Sequence, residues 1–342
     1  MSWLELFFKK DFPVNSSDSE LSGIKEYLTS FDTYYLIGHI DPDADCLGSA
    51  LALGHYLERN GKRVRYFNEG PFDRSEIRDM EPIFLSHIDP GWKTSDPNPA
   101  VVVLDCSGPE RIGEKLRSDV SGLPLAVIDH HPMPPRSDCV SYVDSTAPAA
   151  TLLVQRIIEF AGSVPDPYEA HYLFLGFATD TGFFRHLESG AHASVAGAAR
   201  LMKAGASPRE IYHRIFGGQS FVSRKLLGRI LERAESHFDG QLLLTYQTRA
   251  DIEELGHEAR DSSTVYDMLL GVAGVRAIAF LRDDEDGNCV GSLRSVDDTD
   301  VSRIANLFGG GGHRRAAGFL TSQARRQVKR IILSEFGEQL KS

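Results

Sequence analysis

The sequence predicts an α/β protein: a doubly wound, mainly parallel sheet, followed by a smaller mixed α/β C-terminal domain. Three observations lead there. Ala100–Leu104 (AVVVL) is wholly apolar and β-branched, as a strand buried on both faces must be. Runs of this kind alternate with stretches whose apolar residues recur at helical spacing, the pattern of parallel strands joined by crossover helices. Strand signals then return near residue 240 after a long helical stretch, which marks a second domain.

In order, Tyr34–Gly38 is the first strand, and a polar loop follows it. Leu47–Arg59 is a helix stopped by Asn60-Gly61. Lys62–Phe67, Ala100–Leu104 and Leu125–Ile128 are the next three strands. Helices are expected at Ala150–Ala161, Ala170–Ala178, Ala191–Ala204, Pro208–Phe216 and Phe221–Phe238, the last a charged bridge between domains. Strands follow at Gln241–Tyr246, Val275–Leu281 and Asn288–Leu293. A helix over Asp300–Phe308, the run Gly309–Gly312 and a terminal helix over Thr321–Leu340 complete the chain. The expected domains are 20–225 and 241–342, with a linker helix over 226–240. The length of 342 residues suits two domains at roughly 150 residues each.

Lys plus Arg is 37 against 48 Asp plus Glu, a net charge of −11, so a protein that grips long nucleic acid without specificity is excluded. An acidic chain can still take a small phosphorylated ligand where Arg or metal reverses the local field. Four cysteines lie scattered without CxxC spacing, which argues against a disulfide framework or a zinc–thiolate site. Met1–Asp11 places its apolar residues before its lysines, the reverse of a signal peptide, and no apolar run is long enough to span a membrane. A cytoplasmic protein with no membrane partner is expected.

The chemistry gathers at strand ends. His39-Ile40-Asp41-Pro42-Asp43-Ala44-Asp45 follows the first strand, Asp105 ends AVVVL, and Asp129-His130-His131 ends the next strand. Asp180 closes an apolar helix. Open α/β sheets bind ligands at the carboxyl ends of their strands, so these acids and imidazoles are delivered to one edge. Any one of these Asp residues alone is more often a helix cap. Together they would repel one another by several kcal/mol unless cations sat among them. Oxygen donors mixed with a few imidazole nitrogens suit manganese, with iron, cobalt and zinc as alternatives, better than a pure magnesium cage.

His39-x-x-x-Asp43-x-Asp45-x-x-Gly48-Ser49, Asp105, Asp129-His130-His131 and Asp180 resemble, in order and spacing, the four motifs of the DHH phosphoesterase superfamily. Gly309-Gly310-Gly311-Gly312-His313-x-x-Ala316-Ala317-Gly318 is similar to the glycine-rich signature of the DHH-associated domain. The likeness runs from about Tyr34 to Phe319, and by length and domain content it is strongest to the nano-RNase (NrnA-type) subfamily. It implies two divalent metal ions, most simply manganese. His39 and Asp43 would bind the first, Asp45, His130 and Asp180 the second, and Asp105 would bridge them. Asp129 would orient an imidazole from behind the ligands, and His131 would face the substrate phosphate, so Asp105, His130 and His131 are the expected catalytic residues. Arg294, Gly310, Gly311, Gly312 and His313 would bind substrate. Ser49 would either cap its helix or touch phosphate. Asp41 stands where many relatives have Asn.

The implied activity is hydrolysis of short oligonucleotides, about two to five nucleotides long, to mononucleotides by hydroxide attack at the two-metal site. Removal of phosphate from 3′-phosphoadenosine 5′-phosphate is implied beside it, and the active site is expected in the interdomain cleft. The alternatives are a phosphodiesterase for cyclic di-AMP or linear pApA, and a non-catalytic nucleotide sensor. A homodimer is compatible with each.

Overall fold

A computed structural model describes residues 18–132, 138–256, 262–284 and 286–340. Met1–Asp11 lies outside the described residues. The chain forms two compact units, Met1–Gly217 and Gly218–Ser342.

The first unit opens with helix α1 (Asp18–Ser30), which no periodicity announced, then β1 (Thr33–Gly38), α2 (Ala44–Arg59) and β2 (Arg63–Phe67). The short α3 (Trp92–Ser95), β3 (Pro99–Leu104), α4 (Glu114–Asp119), β4 (Leu125–Asp129) and β5 (Val140–Val143) complete the sheet region. Four helices follow: α5 (Ala150–Phe160), α6 (Pro167–Asp180), α7 (His192–Lys203) and α8 (Pro208–Phe216). The sheet order is β2-β1-β3-β4-β5, and every pair is parallel, as the apolar runs predict.

Alternate residues of β1, β3 and β4 enter two different cores. Leu36, Val102, Leu104 and Ile128 pack under α2, α5 and α6, whereas Tyr35, Ile37, Val101, Val103 and Val127 pack against Ile112, Leu116 and Phe67. All of them are buried, at about 1.5–3 kcal/mol for each fully buried Val, Leu, Ile or Phe side chain. This accounts for strands with no polar face.

Helix α2 starts earlier than its apolar spacing suggested. The Asp43 carboxylate accepts hydrogen bonds from the Asp45 and Cys46 amides at 3.1 and 3.0 Å, so this polar loop residue is the N-cap. Helix α6 is fixed by a capping box between Asp166 and Glu169, with Pro167 in its first turn. The two helices pass one another at glycines. A Cβ on Gly48 would lie 2.6 Å from the Tyr172 carbonyl oxygen, and one on Gly176 would lie 2.8 Å from Oδ1 of Asp45. Side chains here would push the helices apart.

The second unit starts with α9 (Phe221–Glu232), β6 (Glu235–His237), β7 (Leu242–Gln247), α10 (Arg249–Leu255) and α11 (Ser262–Leu270). It continues with β8 (Ala277–Asp283), β9 (Cys289–Ser295), α12 (Val301–Asn306), β10 (Gly311–His313), β11 (Ala316–Thr321) and α13 (Arg325–Leu340). Its sheet order is β10-β11-β9-β8-β7-β6, with only β7–β8 parallel. One face packs on α12 and α13 through Val301, Ile304, Val328, Ile332 and Phe336. On the other face, Leu226, Leu227 and Ile230 of α9 and Val265 and Leu269 of α11 cover Leu243, Ile278 and Phe280. The segment expected as a linker helix over 226–240 is therefore part helix and part strand β6, and its apolar side is core of this unit. Among the described residues, no helix is long and apolar enough to cross a membrane.

Candidate metal centre

Strands β1, β3 and β4 end side by side, and the residues that follow them meet. His39 follows β1, with Nδ1 2.8 Å from the Ile40 carbonyl, a bond in which Nδ1–H donates. His130 follows β4 and makes the same kind of contact to the Ala147 carbonyl at 3.2 Å. Each ring is thereby held so that Nε2 is free to face the acids. His39 Nε2 lies 3.5 Å from Asp105 Oδ2 and 3.9 Å from Asp43 Oδ1. His130 Nε2 lies 3.3 Å from Asp105 Oδ1, 3.4 Å from Asp180 Oδ2 and 3.8 Å from Asp45 Oδ2.

Ligand atoms of His39, Asp43 and Asp105 lie within 4.8 Å of one another, and so do those of Asp45, His130 and Asp180. Asp105 stands between the groups, with one oxygen toward each imidazole. Asp105 also adopts φ 57°, left-handed backbone that costs about 1 kcal/mol or more and that Asp tolerates better than most residues. Its amide donates to the Ile128 carbonyl at 2.9 Å, which helps hold the turn in place. Asp41 has φ 53°, a conformation that favours Asn and Asp alike.

Asp45 is fully buried, yet its carboxylate is well placed. It accepts from the Ala150 and Thr151 amides at 2.6 and 2.9 Å and from the Thr151 hydroxyl at 2.6 Å, and so caps α5 from another element. Ala149, at the N-cap position of α5, has no side-chain cap of its own. Asp129, also buried, accepts from His131 at 2.8 Å and leaves that ring's other nitrogen outward, its side chain nearly half exposed.

Burial and crowding shift these groups strongly. Burial, then the charges of Asp105 and Asp43, raise Asp180 to about 6 against the opposing pull of His130. Burial likewise pushes Asp45 well above the usual carboxylate range, helped by Asp105 and Asp180. Burial would lower His130, but contact with Asp105 and the charges of Asp45 and Asp180 outweigh it and lift the imidazole to about 10. His39 is raised in the same way, burial being outweighed by Asp105 and Asp43. For His131 the hydrogen bond to Asp129 is the largest cause, and it raises the ring.

These residues fit divalent cations. Oδ1 of Asp105 is buried without a well-formed hydrogen bond, and burial with mutual repulsion drives two further acids toward holding protons. The donor set mixes carboxylate oxygen with imidazole nitrogen.

Two neighbours of the site had no signal in the sequence: Arg74, whose Nη1 is 3.3 Å from Asp43 Oδ2, and Thr151. Ser49 lies inside α2, fully buried, and the cap of that helix is Asp43. Arg294 is on β9, Gly311, Gly312 and His313 form the exposed strand β10, and Gly310 immediately precedes it, all in the second unit. Asp105, His130 and His131 form a further grouping within the site, whereas His55, Asp166 and Glu169, outside it, are accounted for by the capping box of α6 and by Arg59 on Glu169.

Comparison with known proteins places this arrangement. Residues 33–177 match the DHH family, N-terminal domain, and residues 242–341 match the DHHA1 domain. The bifunctional oligoribonuclease and PAP phosphatase NrnA of Thermus thermophilus is 31% identical over 286 residues, which are 83% of this chain and 82% of that protein. The cyclic-di-AMP phosphodiesterase PdeA of Listeria monocytogenes is 26% identical over 340 residues, 93% of this chain but 48% of that protein. An exopolyphosphatase-related protein from Bacteroides fragilis shares the fold, with a TM-score of 0.77 at 22% identity over 95% of this chain and 98% of that one.

Proposed function

The chain belongs to the DHH family, and from that premise we propose that it is a manganese-dependent phosphoesterase of the cytoplasm. It hydrolyses oligonucleotides of about two to five residues to mononucleotides and removes phosphate from 3′-phosphoadenosine 5′-phosphate. The observation that carries the reading is the pair of ligand groups, His39/Asp43 and Asp45/His130/Asp180, on either side of the buried carboxylate of Asp105. The likeness to NrnA over most of both chains supports the substrate class.

His39, Asp43 and Asp105 would hold one ion, and Asp45, His130, Asp180 and Asp105 the other. Bound there, divalent ions supply an acidified water and positive charge for the phosphoryl oxygens. The protein's own residues do the rest. Carbonyl contacts at Nδ1 hold the His39 and His130 rings in place. Asp129 holds His131 at Nδ1, so its outer nitrogen can donate to a phosphate oxygen, and the raised pKa keeps that proton available. Arg294, the amides of Gly310, Gly311 and Gly312, and His313 would bind the phosphate end that is not being cleaved.

A substrate panel in manganese tests this: a dinucleotide, a 24-residue RNA, 3′-phosphoadenosine 5′-phosphate, cyclic di-AMP and pyrophosphate. Fastest turnover of the dinucleotide, with measurable release of phosphate from the bisphosphate, is expected. Preference for cyclic di-AMP would favour the cyclic-dinucleotide alternative. No turnover of any substrate would leave a sensor.

A further inference from the structure

The sheet of the second unit carries a pair of arginines on one face. Strand register places Arg294 opposite Ile278, Ser292 opposite Phe280, and Val290 opposite Arg282, so all six side chains share a face. Ala316 and Gly318 of β11 extend that face beside Arg294 and Ser292. Helices α9 and α11 bury Ile278 and Phe280, but Arg282, Ser292, Arg294, Ala316 and Gly318 are only partly buried.

Both guanidinium groups are seated on aromatic rings. Arg294 lies 4.8 Å from the centre of the Tyr266 ring and donates from Nη1 to the Leu293 carbonyl at 2.9 Å. Arg282 lies 5.5 Å from the centre of Phe280 and donates from Nη2 to the Ser292 hydroxyl at 3.3 Å. Tyr266 and Phe280 are themselves in edge contact, 6.2 Å between centres. The Arg282 side chain therefore leans back along its strand toward the Ser292 row. Its fork comes to rest one same-face step, about 7 Å, from the row of Arg294. Arginines held on aromatic faces lose less freedom on binding than free ones, because their planes are already oriented. Arg314 and Arg315 are exposed, with their guanidinium groups donating to the carbonyls of Asp298 and Asp297.

We propose that Arg282 is a second phosphate-binding residue, which engages the phosphate one nucleotide beyond the one held by Arg294. The proposal rests on the oligonucleotide reading above. It gives this acidic chain a short cationic step rather than a track, so it adds affinity for a third nucleotide.

The test measures binding by the full-length protein in EDTA, where hydrolysis is silent, of a 5′-phosphorylated dinucleotide and a 5′-phosphorylated trinucleotide. Arg282→Ala should weaken the trinucleotide about tenfold or more and the dinucleotide less than twofold, the scale of one charge-assisted hydrogen-bond pair. Arg294→Ala should weaken both. The dinucleotide affinity doubles as the folding control, and if Arg282→Ala does not fold, Arg282→Gln is read by the same criteria. Equal losses on both ligands, or none on the trinucleotide, would overturn the assignment of Arg282. If wild-type protein bound both oligonucleotides yet hydrolysed neither in manganese, the catalytic reading would fail while this one stood.

Discussion

Metal binding should displace protons, in a number that the geometry supplies. In the metal-free site His130 is lifted to about 10 and Asp180 to about 6, because three carboxylates crowd one imidazole in a buried pocket. A ligand must lose its proton before it binds an ion. Between pH 6 and 8, therefore, His130 is protonated without metal and neutral with it, and at least one proton leaves per ion bound at its cluster. His39, also held up, adds to the count at the other group. The sign follows: manganese affinity falls as pH falls, by about tenfold per unit, or about 1.4 kcal/mol, for each proton displaced. Below pH 6 Asp180 takes up a further proton at the His130 cluster, and the slope there steepens by about another tenfold per unit. Isothermal titration of manganese into EDTA-stripped, dialysed protein, in buffers of different ionisation enthalpy, counts the protons directly. Asp180→Asn should remove the steep acid limb and keep the shallow one. Equal manganese affinity at pH 6 and pH 8, with no proton release, would refute the account of the site.

Four further outcomes are expected. Asp105→Ala removes the carboxylate shared by both groups and should leave less than a tenth of the wild-type rate in manganese, with the circular dichroism spectrum unchanged. Gly176→Ala drives a methyl group into Asp45 and Thr151, so it should cost about 1–3 kcal/mol in urea unfolding and displace Asp45, lowering kcat by tenfold or more. If Arg294 binds substrate as proposed, Arg294→Ala should raise KM for a dinucleotide and spare a small activated ester such as a p-nitrophenyl phosphodiester, which has no second phosphate to be bound. Arg65, with Tyr35 and Arg63, holds the Asp96 carboxyl down at about 2, against burial. Its share of stability, about 1–2 kcal/mol, should be present above pH 4 and lost as pH falls through 2, and Asp96→Asn should flatten that limb of the acid-unfolding curve.

The sequence alone determined the class of sheet and the chemistry at its edge. AVVVL admits only a strand buried on both faces, and a parallel sheet puts the residues after its strands on one rim, so Asp105 and Asp129-His130-His131 were legible as neighbours of His39. Helix starts were less legible, because a cap is a side chain–backbone bond and not a periodicity: Asp43 begins α2 before its apolar stripe does. Helices α1, α10 and α11 and strands β5, β6, β10 and β11 were not legible, since their apolar patterns are short or weak and packing or pairing partners define them. The glycine run is likewise an edge strand rather than a simple loop.

Only the tertiary structure decided how the acids are shared out. Asp45 is fixed by amides more than a hundred residues away, at the start of a helix that lacks its own cap, and it reaches Asp180 only because Gly48 and Gly176 let two helices touch. The same holds for Arg282, an ordinary charged residue two places from Phe280 in its own strand until the register of β8 on β9 sets its fork at Ser292, one row from Arg294. Residue type and local period are written along the chain and can be read there. Distances between residues far apart in sequence depend on the packing of whole elements, which no local pattern encodes.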